Sequence, residues 1–336
     1  MGLITPTAFE NLIISKPDLQ VGLTEVIPTG EIPTHYINRY MAEDEVRCAF
    51  CDKHTPHKRG FTAQMADGRI ALCGRDCAAK YFGQEVADRF EQDLEKQIER
   101  AARRRIVHRT IEGVPATLAL LSRDVVEMEE RALRAVGALH DEFRATPLPT
   151  RLAENGDLEI TETKRRWIER EDENGQIRRV PIDDTRVVLR VAAASVLRNG
   201  PTTKRRFKAA RSELEMLAGV KTLDGWSDQV IDRMAQKRAA IVTDIQNGVR
   251  FINLCRRFFT PDNIGALSDY FQSGKNHVER VRLQSSKGGS ELVVTGKPYS
   301  FIDYDMSAGE RSRRYRLPNF NDLPSEEMLL AALRDG

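Results

Sequence analysis

Four of the five cysteines fall within 30 residues, as Cys48-x2-Cys51-x21-Cys73-x3-Cys77. Two close pairs of thiols at this separation suit one tetrahedral Zn²⁺ bound by four sulfurs. The two residues inside the first pair let a tight turn aim both thiols at one ion. Free thiols or disulfides are the alternative. The chain of 336 residues is long enough to bury a core, and its length suits two or three domains. Lys plus Arg number 52 and Asp plus Glu 50, a net charge of +2 that argues against a histone-like polycation. No apolar run is long enough for a membrane span. The start, MGLITPTAFENLII, has no basic stretch ahead of its apolar part, so the expected setting is the cytoplasm, where thiols stay reduced.

Between the cysteine pairs, Phe61–Met65 and Arg69–Leu72 flank Ala66-Asp67-Gly68, and Asp-Gly is a strong hairpin turn. Gly74-Arg75-Asp76-Cys77-Ala78-Ala79-Lys80 reads as the first turn of a helix, whose N–H groups and positive end favour a thiolate. Knuckle, hairpin and helix follow the order of a treble-clef zinc finger. The segment resembles the TRASH and MYM/FCS-type fingers in Cys73-Gly74-Arg75-Asp76-Cys77 and the following Lys80-Tyr81-Phe82. Leu72 and Gly74 depart from that pattern, and Asp52 stands where a Gly is often found. The resemblance covers about a tenth of the chain. It implies a zinc fold, and such fingers serve in metal handling, protein contact and nucleic-acid contact. His54 and His57 lie in the loop after the first pair, beside Lys53, Lys58 and Arg59. They are exposed polar residues, replacements for a Cys ligand, or part of a phosphate-contacting loop. Cys255 falls on an apolar seam and is expected in the core.

The fold class expected is α+β and mainly α: the zinc module, long coiled-coil-like helices, a polar β-hairpin and a β-rich tail. Residues 1–45 read as irregular with short strands, and 46–83 as the zinc module. Residues 84–145 read as an antiparallel helical hairpin. Its first helix is broken by Gly113 and Pro115, and Leu121, Val125, Met128, Ala132, Ala135 and Leu139 form a 3.5-residue seam on its second. Residues 146–182 read as a polar hairpin around Asn174-Gly175, and 183–275 as helical. There Asp183-Asp184 is expected to cap a helix over 185–198, and Thr202 or Thr203 the next one. The longest helix is expected at 226–259, and another short one is started by Pro261-Asp262. Residues 276–336 read as short strands and a last helix from Ser325. Phe82 and Phe90 are expected to weld the finger onto the first long helix.

Three basic clusters stand out. Arg100, Arg103 and Arg104 share one helix face, with Arg105 and Arg109 nearby. Lys204, Lys208 and Arg211 share another, with Arg205 and Arg206. Arg311, Arg313, Arg314 and Arg316 surround Tyr315. Such runs are solvated faces paired with acids, or cations arrayed for phosphates. No P-loop, dinucleotide Gly motif, HExxH or nucleophile elbow occurs. Asp303-Tyr304-Asp305 reads as a surface feature, and His108, His140 and His277 lack partners at a recognisable spacing. The expectation is a non-enzymatic protein holding one structural Zn²⁺ through Cys48, Cys51, Cys73 and Cys77. It would meet DNA or RNA through Arg100, Arg103, Arg104, Lys204, Lys208 and Arg211, or belong to a nucleic-acid-associated complex. A coiled-coil scaffold with a protein partner or a second copy is the alternative.

Overall fold

A computed structural model describes residues 13–145, 152–171, 176–198, 204–272, 281–296 and 310–333. The Asn174-Gly175 turn, the Thr202/Thr203 cap, His277 and Asp303-Tyr304-Asp305 lie outside them. The protein is a mixed α+β chain that divides into two units. One comprises Met1–Glu112, Gly219–Arg238 and Asp335–Gly336; the other comprises Gly113–Ala218 and Ala239–Arg334.

The first unit is built on a five-stranded sheet. Its strands are β1 (Ile13–Ile14), β2 (Leu23–Thr24), β3 (His35–Arg47), β4 (Pro56–Gln64) and β5 (Ile70–Gly74), in the order β1-β3-β4-β5-β2. β3 is a 13-residue strand inside what reads from sequence as an irregular lead-in. The cysteine module is therefore the middle of a larger sheet. Helix α1 (Arg75–Phe82) follows β5 directly, and α2 (Gln84–Leu120) follows α1 after Gly83, whose φ of 83° suits glycine. One apolar cluster holds Tyr36, Phe61, Cys48, Cys73, Phe82, Phe90 and Leu94 together. Phe82 and Phe90 thus join the start of α2 to the finger's interior. Further along α2, Val107 and Ile111 pack with Leu223 and Ile231 of the 219–238 segment.

Gly113 and Pro115 do not end α2, contrary to the expectation from sequence. The helix runs through both and stops at Leu120, making it longer than the one expected at 226–259. Gly113 is required by packing: a Cβ there would lie 2.0 Å from the Ala332 carbonyl. Ser122 then caps α3 (Arg123–Gly137), its Oγ accepting the Val125 N–H.

The second unit continues with a two-stranded ribbon, β6 (Leu158–Glu171) and β7 (Ile177–Val191). The helix expected after Asp183-Asp184 is instead strand. Those two aspartates sit opposite Arg165 and Lys164 in the ribbon, and the β-branched pair Val187-Val188 suits an extended backbone. Helices α4 (Arg206–Ala218), α5 (Asp228–Phe258) and α6 (Pro261–Gln272) follow. Then come β8 (Arg282–Ser286), β9 (Glu291–Gly296) and β10 (Arg311–Arg316), a three-stranded sheet in the order β10-β9-β8. Ser325 caps the short helix α7 (Glu326–Leu330), as its sequence suggests. The apolar face of α3 packs on α4 and β10, and the buried Val125, Met128, Ala132 and Ala135 belong to that globular core. Cys255 is likewise buried, which pushes its thiol well above the ordinary range.

Candidate metal centre and basic surfaces

The loop between β3 and β4 turns tightly at Cys48–Cys51. The Ala49 N–H donates to the Leu72 carbonyl at 2.9 Å, and the Ile27 N–H to the Ala49 carbonyl at 2.8 Å, so the turn is clamped to the sheet. The end of β5 and the first turn of α1 bring in Cys73 and Cys77. The sulfurs of Cys48, Cys51 and Cys77 lie within 4.8 Å of one another, a geometry compatible with a single metal ion. Cys73 is fully buried and is not one of that trio; its thiol donates to the Gly74 carbonyl at 3.5 Å and interacts with the Cys48 sulfur.

Backbone donors aim at this cluster. The Thr55 N–H reaches the Cys51 sulfur at 3.2 Å, and those of Gly74 and Phe50 point at the Cys48 sulfur. The hydrogen bond from Cys73, helped by these N–H groups, holds the Cys48 thiol far below the ordinary range. The Cys73 thiol is pushed far up, first by that bond to Cys48, then by burial and the charge of its neighbours. Burial, then the charge of Cys48, pushes Cys77 up as well. The neighbouring sulfurs thus push these thiols apart, Cys48 downward and Cys73 and Cys77 upward. A bound cation reverses that balance, since it favours deprotonated sulfur.

Neither histidine joins the sulfurs. His54, at a φ of 43°, turns its Nδ1 to the Cys48 carbonyl at 3.1 Å. His57 bonds the Tyr40 hydroxyl through Nε2 and the Thr55 carbonyl through Nδ1, and its ring lies against Gly74. Tyr40 also donates to the Cys73 carbonyl at 3.3 Å. Tyr40 and His57 thus brace the backbone at Cys73 and Gly74 from the opposite face of the sheet. Gly60 makes room for them: a Cβ there would sit 2.1 Å from the Cys73 carbonyl oxygen and 2.6 Å from the Tyr40 hydroxyl. Sequence reasoning missed Tyr40 and Gly60. A glycine within a strand, which marks a close backbone approach, was the available signal for Gly60. A cavity of about 640 Å³ beside the knuckle is lined by Asp18, Glu25, Glu43, Asp44 and Glu45 among others, and Lys58 is tied to the Glu43 carbonyl. That acidic rim is a poor setting for a phosphate-contacting loop.

The basic helix faces are largely engaged. Arg100 pairs with Asp228 at 3.0 Å, Arg103 with Asp232 at 2.8 Å, and Arg104 donates to the Trp226 carbonyl at 2.9 Å. In the second unit, Lys204 meets Asp244 at 2.6 Å and Arg205 meets Glu130 at 3.3 Å. Arg211 holds both Glu215 and the Leu121 carbonyl, leaving Lys208 exposed with no partner among the described residues. The first set belongs to one unit and the second to the other. Arg313 and Tyr315, alternating along β10, both bind Glu142.

The basic opening of α4, unfavourable for the helix dipole, is offset by a residue not singled out from sequence. Glu129, 1% exposed on α3, accepts the N–H groups of Arg206 at 2.9 Å and Phe207 at 2.8 Å. Burial still raises its carboxyl above the usual range, against the pull of these two bonds. Among the described residues no helix is long and apolar enough to cross a membrane. No protein-family model, curated protein or solved structure matches the chain, so its reading rests on its own residues and geometry.

Proposed function

We propose that this chain is a non-enzymatic binding protein whose N-terminal module is a treble-clef-like fold around one structural Zn²⁺, held by Cys48, Cys51, Cys73 and Cys77. The carrying observation is the convergence of three sulfurs within 4.8 Å, with Cys73 buried in the same apolar cluster as Cys48 and Cys51. An all-thiolate donor set is soft and favours zinc over magnesium or calcium. Four sulfurs fill a tetrahedral ion's coordination and leave no position for a reacting water, so the ion's chemistry is that of a crosslink. The protein's own contribution is the N–H groups of Thr55, Gly74 and Phe50, which stabilise thiolate sulfur. The test is metal content. Full-length protein purified without chelator should carry one zinc per chain and lose the structure of the module when chelated. Protein free of zinc and indifferent to chelator refutes it.

The partner we propose is nucleic acid, or a nucleic-acid-associated complex. Arg100, Arg103, Arg104, Lys204 and Arg211 give this little support, because each is engaged within the protein. Its support is a pair of exposed arginines on the β6–β7 ribbon, Arg166 and Arg170, which have no ion-pair partner among the described residues. The alternative, a coiled-coil scaffold, would use the α3 seam, which the core already occupies. Binding of labelled DNA and RNA at low salt, lost as salt rises, is the expected result; no binding of either refutes a direct nucleic-acid role.

A further inference from the structure

The cavity of about 640 Å³ beside the knuckle lies within the first unit and brings together two kinds of surface. One is apolar. Val46 and Leu72 belong to a small buried cluster with Leu23 packed against it, and all three line the cavity. Leu19 and Val26 line it too, although 70% and 56% exposed. The other surface is acidic. Between Met41 and Val46 the pairing of β3 with β4 slips, so that Ala42, Glu43, Asp44 and Glu45 have only Lys58 opposite them. Such a bulge bends a strand and re-aims its side chains. Glu43, Asp44 and Glu45 are exposed and line the cavity together with Asp18 and Glu25.

This charge is not balanced within the protein. Of the five carboxylates, Glu43 alone has an ion-pair partner among the described residues, Lys16 at 3.6 Å. Lys16 and Arg47 are the cavity's only Lys and Arg side chains among the described residues. Residues 1–12, which precede it in sequence, contain no Lys or Arg. Elsewhere on this unit exposed acids have found cations: Glu31 and Asp67 hold Arg69, Glu91 holds Arg75 and Glu95 holds Arg39. Carboxylates gathered without counter-charges repel one another, and an external cation removes that cost. A single metal ion is a poor fit. Among the described residues, Cys48, Cys51 and Cys77 are the one convergent group of three or more possible donors, so these carboxylates stand too far apart to share an ion. The ligand must instead spread several positive charges and cover aliphatic surface. Lysine and arginine side chains do both, carrying a charged head on an apolar stem. The volume falls in the range of ligand pockets, about 300–1,000 Å³, which suits a short run of side chains.

We propose that this cavity is the docking site for a basic segment of a partner protein, in which lysines or arginines alternate with aliphatic residues. The cations meet Asp18, Glu25, Asp44 and Glu45, and the aliphatic side chains cover Leu19 and Val26. This goes beyond the nucleic-acid role: it concerns the other unit and a ligand of opposite charge, and it is tested separately.

The test is fluorescence anisotropy of a labelled peptide of alternating lysine and leucine, titrated with the full-length protein across a salt series. Wild type should bind it, and less tightly as salt rises. A lysine–serine peptide of equal charge should bind at least about threefold more weakly, for want of the apolar contact. Asp44→Asn with Glu45→Gln should weaken binding of the first peptide about fivefold at low salt, as two exposed ion pairs are lost, and flatten its salt dependence. Leu19→Ser with Val26→Ser should weaken it to a similar degree and leave the salt dependence unchanged. Asp93→Asn with Glu99→Gln removes the same charge from acids already paired with Lys96 and Arg103. That variant should change affinity less than about twofold. All six positions are exposed, and zinc content and thermal unfolding of each variant check that the fold is intact. No binding by wild type overturns the proposal, as does equal binding of the two peptides or unchanged binding in either cavity variant. An equal loss in the Asp93/Glu99 variant overturns it too, since the attraction would then be one of net charge. Ca²⁺ that displaces the peptide further than Na⁺ at equal ionic strength would give the cavity to a metal ion and likewise overturn it.

Discussion

The hairpin of β4 and β5 and the ribbon of β6 and β7 are both antiparallel pairs joined at sequences typical of tight turns, Asp67-Gly68 and Asn174-Gly175. In the first, Phe61, Ala63, Ala71 and Cys73 face an interior shared with α1, α2 and the sulfur cluster. In the second, the side chains beyond the base face water on both sides. The first pair is therefore bound by contacts and crosslinks distant in sequence. The second is bound mostly by its own ladder and cross-strand charges. Substitutions should act accordingly: on the whole module in the first hairpin, and only locally in the second.

The largest expected effect comes from removing a sulfur. Cys77→Ser or Cys48→Ser should abolish metal binding and, with it, a contribution on the order of 10 kcal/mol to the folding of the module. Hydrogen exchange should report weakened protection through β3, β4, β5 and α1. The ribbon should keep its protection, and comparable losses in both hairpins would break the contrast between them.

Gly60→Ala comes next. Its Cβ would meet the Cys73 carbonyl and the Tyr40 hydroxyl, and one of these is rigid backbone. The expected cost is about 3 kcal/mol, at the upper end of overpacking. Denaturant unfolding of the metal-loaded protein measures it. Tyr40→Phe keeps the packing and removes the bonds to His57 and the Cys73 carbonyl, so it should cost less, about 1 kcal/mol.

The base of the ribbon should respond to acid, and the cap of α4 in the opposite sense. Burial pushes the Asp157 carboxyl up, but the Ala193 N–H and the Arg190 and Arg257 guanidiniums outweigh it and hold it below the usual range. Its stabilisation is complete above the unfolded value of about 3.9 and is lost as pH falls through the lower folded value. Glu129 is raised, so its folded form favours the proton. Stability is then lost as pH rises from the unfolded value of about 4.3 through the folded one. Asp157→Asn should cost about 2 kcal/mol at neutral pH and flatten the acid limb below about pH 4. Glu129→Gln should flatten the change between about pH 4.3 and neutrality. Unfolding curves across pH separate the two variants, and a shared profile would refute the assignment.

Much of the sulfur site was legible because its ligands lie close together in sequence and their spacing encodes a turn. Cys48 and Cys51 needed no knowledge of the rest of the chain. Tyr40 needed the sheet register that brings it to His57 and Cys73, and no local pattern carries that. β3 was legible in the alternation of Tyr36, Asn38, Tyr40 and Ala42, but the turn formers before it masked the signal. The continuation of α2 through Pro115 and the strand at Asp183-Asp184 failed for one reason. Local preference for a break or a cap yielded to partners far along the chain, Ala332 in one case and Arg165 and Lys164 in the other. The basic clusters are visible in the sequence as charge runs. Their acids, such as Asp228, Asp232 and Asp244, lie tens of residues away or more, so helix-face spacing alone suggested cations that the folded chain has already used.

The smallest expected effect probes the bare hairpin directly. Trp167 is 61% exposed, on the ion-paired face of the ribbon opposite Pro181. In a hairpin held like β4–β5, truncating a tryptophan to alanine would cost about 3–5 kcal/mol. Here Trp167→Ala has little burial to lose, and the expected change in unfolding free energy is below about 0.5 kcal/mol. A cost of about 2 kcal/mol or more in the isolated protein, well beyond what an exposed position loses, would mean that this face is covered in solution. The ribbon would then join β4–β5 as a packed element, and the contrast between the two hairpins would be gone.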